Sequence, residues 1–253
     1  MGDELLTSEQ LTKNLYYKPV LTQQQHKERR KYAVIINGDF SEFHKGNVKE
    51  AYTSMKVLGF VDENIYILST ENPRADVIEK INGINAHATA GNVNEVFDSL
   101  QKMVDTNDML VLYTTGHGKC RNNEATLQLE DTDIIQTELK KQLAKAKAQD
   151  YVIVCDQCYS GGIASELSTL EGNVVAYSST DAKHITLCES FARPFWESFR
   201  NGNGDKNKDG KTTLDEAFEY AAEIHRAAAN NRQKKTNHEA HAYRSKNYPK
   251  ELR

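Results

Sequence analysis

Short runs of β-branched and aromatic residues alternate along this chain with longer stretches whose apolar residues recur every three or four positions. YAVIIN (residues 32–37), IYIL (65–68), MLVLYTT (109–115), YVIVC (151–155) and NVVAYS (173–178) are too short for helices and rich in strand formers. Between them, Val48, Ala51, Tyr52, Met55 and Leu58 make one helical face that stops at Gly59. Val93, Val96, Phe97, Leu100 and Val104 make another, with Asn92 as its expected cap, and a Lys- and Ala-rich helix is expected over 136–147. Strands separated by helices require crossover connections, so the expected fold is α/β with a mainly parallel sheet. A chain of 253 residues suffices for one such domain. The expected organisation is a flexible arm over 1–30, a folded domain over 31–230 and a polar, basic tail over 231–253.

Open parallel sheets bind ligands beyond the carboxyl ends of their strands. Two blocks fall at such ends: GHG (116–118) after the third run and DQCYSGG (156–162) after the fourth. Nucleophilic cleavage of an amide needs a thiolate-capable sulfur, a nearby imidazole and donors for the developing oxyanion. Cys158 and His117 offer the first two, and the amides of Gly118 and Cys158 the third. The flanking glycines leave room for a substrate backbone.

The C-x-x-C pair Cys155/Cys158 has other readings. A zinc site needs a second pair of ligands, and none with suitable spacing occurs. A disulfide scaffold is a device of small secreted chains, and the four cysteines here (120, 155, 158 and 188) are irregularly spaced in a large one. A thioredoxin-like pair fits loosely. Cys155 belongs to the apolar run, so it reads as a structural sulfur followed by a reactive one.

YTTGHG and VIVCDQCYSGG, in that order, resemble the two catalytic blocks of the caspase-type cysteine peptidase clan, closest to its legumain-like and metacaspase-like members. NGDFSEFHKGNVKEAY, GFVDENIYIL and YSSTDAKH resemble flanking segments of legumain-like enzymes, so the resemblance covers about residues 31–200. It implies a caspase-like three-layer sandwich and a cysteine endopeptidase working through a Cys158/His117 dyad and a thioester. It also implies Asn37 as a weak candidate for orienting the imidazole. In the clan, the acid two residues before the nucleophile contributes to the pocket for the residue preceding the cleaved bond. Here that acid is Asp156. With Asp181 and Asp39 adding negative charge, such a pocket favours Arg or Lys. His44 and Lys45 lie where legumain-like enzymes place basic pocket residues, which would suit Asn or Asp instead.

DKNKDGKTTLDE (205–216) matches the EF-hand loop at its diagnostic positions. Asp205, Asn207 and Asp209 take positions one, three and five, Gly210 the sharp turn, the Lys211 carbonyl position seven and Glu216 the bidentate position twelve. Thr213 stands at position nine. SFARPFWESF and LDEAFEYAAEIHRAA read as the entering and exiting helices. Bound Ca²⁺ is therefore expected, with a stabilising or activating role; an ion-free capping turn is the plainer alternative.

The expected partner is a peptide or protein substrate. A net charge of −4 gives no field to gather nucleic acid, and no apolar run is long enough for a membrane span. No apolar signal region is visible in MGDELLTSEQLTKN, so a cytoplasmic location is expected. Oligomeric state is not legible. An inactive caspase-like binding module, a calcium-sensing scaffold and a transpeptidase using the same site are the competing functions.

Overall fold

The computed structural model describes residues 28–70, 85–186, 190–231 and 239–252. Most of the expected arm (1–27), Cys188 and part of the expected tail (232–238) lie outside the described residues.

The chain enters β1 (Lys31–Asn37), then helix α1 (Glu42–Val57), β2 (Ile65–Ser69) and a short β3 (Asn85–His87). Helix α2 (Ala90–Met103) leads to β4 (Met109–Thr115). A three-stranded antiparallel excursion follows: β5 (Gly118–Arg121), β6 (Glu124–Gln128) and β7 (Asp133–Ile135). Then come α3 (Gln136–Leu143), β8 (Asp150–Cys155), α4 (Ser160–Leu167) and β9 (Asn173–Ser178). The last elements are α5 (Ala192–Asn201), α6 (Leu214–Asn231) and β10 (His241–Arg244).

The central sheet has the order β10-β9-β8-β4-β1-β2-β3. All its pairings are parallel except that of the edge strand β10 with β9. Side chains alternate across this sheet as the pleat demands. Tyr32, Val34 and Ile36 join a core with residues of α2, α3 and α4. Ala33 and Ile35 join a second core with residues of α1, α5 and α6. Helices on both faces of a mainly parallel sheet make the expected three-layer α/β sandwich. Each strand buried on both sides reads as a continuous apolar run, which is why no alternation marked them in the sequence.

Three details differ from expectation, the first being that α3 ends at Leu143 and not at 147. Helix α2 is capped by Thr89, whose hydroxyl accepts from the Asn92 amide at 3.2 Å; Asn92 itself is helical. The tail is not wholly a solvated extension, because residues 241–244 pair with β9. Arg244 then lies over the rings of Tyr177 and Phe218 and pairs with Asp215 at 2.8 Å, which anchors a basic segment that composition alone would leave in water.

At the amino ends of β1 and β4, Arg30 grips Asp108 through two nitrogens, at 2.6 and 3.2 Å. Asp108 is fully buried, and these two nitrogens together with the Arg30 and Asp105 amides, both at 3.0 Å, satisfy its carboxyl oxygens.

Candidate active site

The register of β1, β4 and β8 aligns three strand ends. Asn37 lies opposite Thr115, and Thr114 opposite Cys155. The GHG and DQCYSGG blocks leave the sheet side by side, and the Asp156 amide donates to the Thr114 carbonyl at 2.9 Å. Gly118 then packs against the nucleophile turn. A Cβ there would lie 2.1 Å from the Cys158 carbonyl oxygen, a separation no side chain tolerates. The two candidate catalytic blocks are thus in direct backbone contact, and glycine is what allows it.

Cys155 and Cys158 have the different environments expected of them. Cys155 is fully buried, and burial pushes its thiol up to about 12. Cys158 is half-buried at the N-terminal end of α4, with Sγ 3.9 Å from the Thr186 carbonyl oxygen. Tyr159, the next residue, is left-handed (φ 60°), a conformation that costs a non-glycine residue about 1–2 kcal/mol. Its amide donates to the His184 carbonyl at 3.0 Å, so the loop after β9 fixes this bend and lies over the sulfur.

His117 is more than half exposed, and its Nε2 lies 2.6 Å from Asp39 Oδ2. The Asp39 carboxylate is mostly buried. Burial would raise its pKa, but hydrogen bonds from Ser41 and the nearby His44 and His117 outweigh that and hold it below the ordinary carboxylate value. Two glycines permit the approach. Gly116 (φ +116°) would bring a Cβ within 2.9 Å of the Gly38 nitrogen, and a Cβ on Gly38 would sit 1.9 Å from the Gln128 carbonyl oxygen. Asn37 points its amide at the Ser69 hydroxyl, 3.1 Å away, and accepts from the Asp39 amide at 3.0 Å. It supports the Asp39 loop, and Asp39 is the group that meets the imidazole. From the sequence, Asp39 reads only as pocket charge. The signal available was the Asn-Gly-Asp turn itself, but its meaning depends on β1 lying next to β4.

Beneath this layer lies a buried polar cluster. Asp156 is 1% exposed, and burial raises its pKa to about 8, with the nearby Cys158 adding to the rise and a Ser179 hydrogen bond opposing it. Asn47, also buried, directs its amide toward Asp156 Oδ2 at 3.5 Å. Asp156 Oδ1, Asn47 Oδ1, the Tyr113 hydroxyl and the Thr180 hydroxyl are buried without hydrogen-bond partners. His44 is buried too, its Nδ1 2.7 Å from the Thr115 hydroxyl and its ring centroid 6.3 Å from that of His117. The remaining expected pocket residues are engaged locally. Lys45 pairs with Glu42 on the same helix. Asp181 accepts from the Lys183 and His184 amides at 2.7 and 2.9 Å and pairs with the His184 ring at 2.7 Å. These contacts hold its carboxyl below the usual range even though burial alone would raise it.

The sequence model of the peptidase C13 family matches residues 31–248. The chain belongs to this family. It is a cysteine peptidase of the legumain type, and the C13 assignment extends over the described sheet, including the edge strand β10. No curated protein shows a significant match to the chain. No helix among the described residues of this C13 peptidase is long and apolar enough to cross a membrane.

The 205–216 loop connects α5 to α6. Gly210 takes φ +86° at the sharp turn. Asp205 accepts from the Asp209 and Gly210 amides at 3.1 and 2.9 Å, and Asp209 from the Lys211 amide at 2.9 Å. Asn207 Oδ1 accepts from the Asp209 amide at 2.8 Å. Glu216 folds back onto the loop, accepting from the amides of Asn207 and Thr213 at 3.3 and 2.9 Å. Among the described residues no group of three or more His, Cys, Asp or Glu side chains is gathered closely enough to hold a metal.

Proposed function

We propose that this C13 peptidase is an endopeptidase that cleaves after Arg or Lys through Cys158 and His117. The contact between the His117–Gly118 turn and the Cys158 backbone carries this reading. Cys158 Sγ, as thiolate, attacks the scissile carbonyl. The amides of Gly118 and Cys158 receive the oxyanion, whose stabilisation is usually the largest single contribution to such catalysis. His117 passes a proton to the leaving amine, and a thioester remains on Cys158. His117 then takes a proton from water, hydroxide attacks the thioester carbonyl, and the acid product leaves.

The preference rests on Asp156. A carboxyl held at 1% exposure beside unpartnered buried polar atoms is short of a cationic partner. A guanidinium or ammonium reaching it gains a charge-assisted contact that a neutral side chain cannot match. Phe40 and Ile185, both well exposed, lie on the loops that carry Asp39 and that overlie Cys158, and they offer apolar surface to flanking substrate residues. A fluorogenic peptide panel tests the reading. Arg and Lys substrates are expected to lead, and Asp156→Asn is expected to slow them selectively. A panel led by Asn or Asp would overturn the preference, and peptide cleavage by Cys158→Ala would overturn the nucleophile.

Calcium at 205–216 belongs to the same proposal. Asp205, Asn207, Asp209, the Lys211 carbonyl and Glu216 would hold the ion between α5 and α6. The support is the donor order and the sharp turn at Gly210. Since α5 packs on the sheet through Phe195 and Trp196, an ion there would brace the layer behind the site.

A further inference from the structure

We propose that β5 is a docking strand for the leaving half of the peptide substrate: the residues after the cut add to its outer edge as a parallel strand, and Arg121 selects an acidic side chain at the fourth of them. The inference rests on the Cys158–His117 reading above and extends it to the far side of the scissile bond.

The hydrogen bonds of the hairpin carry it. In an antiparallel ladder, opposed residues alternate between exchanging bonds and facing away from each other. Gln128 donates to the His117 carbonyl at 2.9 Å, and the register pairs Gly118 with Leu127 and Lys119 with Thr126. Lys119 and Arg121 therefore direct their backbone groups to β6, and Gly118 and Cys120 direct theirs to the other side. That side is an open edge, since β5 pairs only with β6 among the described residues. Its first group is the Gly118 amide, the oxyanion donor. The leaving amine takes its proton from His117, one residue earlier, so the chain beyond the cut starts where β5 starts. One parallel ladder accommodates both. Gly118 N–H donates to the carbonyl at the cut. The second leaving residue donates its N–H to the Gly118 carbonyl, and its own carbonyl accepts from the Cys120 N–H.

The strand is held ready for this. Asn122 and Asn123 are both left-handed (φ 53° and 65°), the type I′ geometry that suits a two-residue hairpin. Ala125, opposite Cys120, is buried, and a Cβ on Gly162 would lie 2.6 Å from its Cβ, so the hairpin sits directly on α4, the helix that follows Cys158. The parallel register sets the fourth leaving residue beside Arg121. Arg121 is exposed, and among the described residues no carboxylate pairs with it. Lys119, two residues earlier on the same face, is already held by Asp133 at 2.9 Å.

Internally quenched peptides that differ only after the cut test this on the full chain. Their acyl half ends in whichever residue leads the panel above, so the preference for Arg or Lys is not at stake. Each kcat/KM is divided by that of the same acyl half on aminomethylcoumarin. Lengthening the leaving half from one residue to four should raise this ratio on the order of tenfold. N-methylation of the second leaving amide should remove most of that gain, and N-methylation of the third, which faces away from β5, should not. Glu at the fourth position should exceed Lys by about fivefold, the scale of an exposed ion pair exchanged for a repulsion, and Arg121→Glu should invert that order. Equal losses from the two N-methylations, or a fourth-position preference unchanged in Arg121→Glu, would overturn the proposal while leaving the catalytic site as described. Should Cys158→Ala cleave these peptides as wild type does, the reading of the site itself fails and the docking strand falls with it.

Discussion

Asp156 makes the protein's stability depend on pH in a direction opposite to that of most carboxylates. Its pKa rises from 3.8 to about 8, chiefly because burial penalises the charged form. Below pH 3.8 the side chain is neutral in both folded and unfolded chains and costs nothing. As pH rises, the unfolded chain releases this proton first, and the folded chain keeps it until about pH 8. Between those limits the folded state binds more protons, so stability falls with rising pH. At about 1.4 kcal/mol per pKa unit, a shift of about four units sets a ceiling of about 6 kcal/mol. Local relaxation and water entry reduce what is observed, so a cost of about 2–4 kcal/mol at pH 8 is expected. Asp156→Asn keeps the shape and removes the ionisation. Relative to wild type it should gain this amount between pH 4 and pH 8, or about 4–16 °C in melting temperature for a chain of this size. The assay is thermal unfolding of both proteins across that range, read as the difference between them so that other carboxylates cancel. Parallel profiles, with the difference changing by less than about 1 °C, would show that Asp156 ionises normally in the folded protein. The same logic couples to substrate, since a bound cationic side chain should return Asp156 toward its ordinary pKa and release protons near pH 7.

Cys158→Ala is expected to abolish cleavage with an unchanged melting temperature, whereas Cys155→Ala keeps activity and loses about 1–2 kcal/mol through a small core cavity; mass spectrometry after a thiol-reactive inhibitor should find the adduct on Cys158, and an adduct on Cys155 reverses the assignment. Gly118→Ala should lower kcat steeply and destabilise by about 1–3 kcal/mol, because its Cβ would collide with the Cys158 carbonyl oxygen; unchanged kinetics would mean that the two turns are not packed together in solution. Millimolar calcium should raise the melting temperature of wild type by mass action and do little for Glu216→Gln, and equal melting in calcium and EGTA removes the ion from the loop.

The strand runs, the α/β class and the two chemistry-bearing blocks were legible in the residues, because strand preference, helical periodicity and glycine-flanked catalytic residues are local properties of the chain. The five runs became β1, β2, β4, β8 and β9 with ends moved by at most one residue. The short edge strands β3 and β10 carried no comparable signal, since three or four residues gain their order from a neighbouring strand rather than from their own preference. The same division separates Cys155 from Cys158, which membership in an apolar run already distinguished, from Asp39, Asp156 and His44, which it could not place. Whether an Asp faces a pocket, caps a turn or meets an imidazole depends on which strands lie side by side. Only the sheet order, with β4 between β1 and β8, brings the Asp39 turn to His117 and seals Asp156 beneath Cys158. Local sequence specifies what each residue can do chemically, and long-range packing specifies which partner and how much water it meets, and those last two decide its charge.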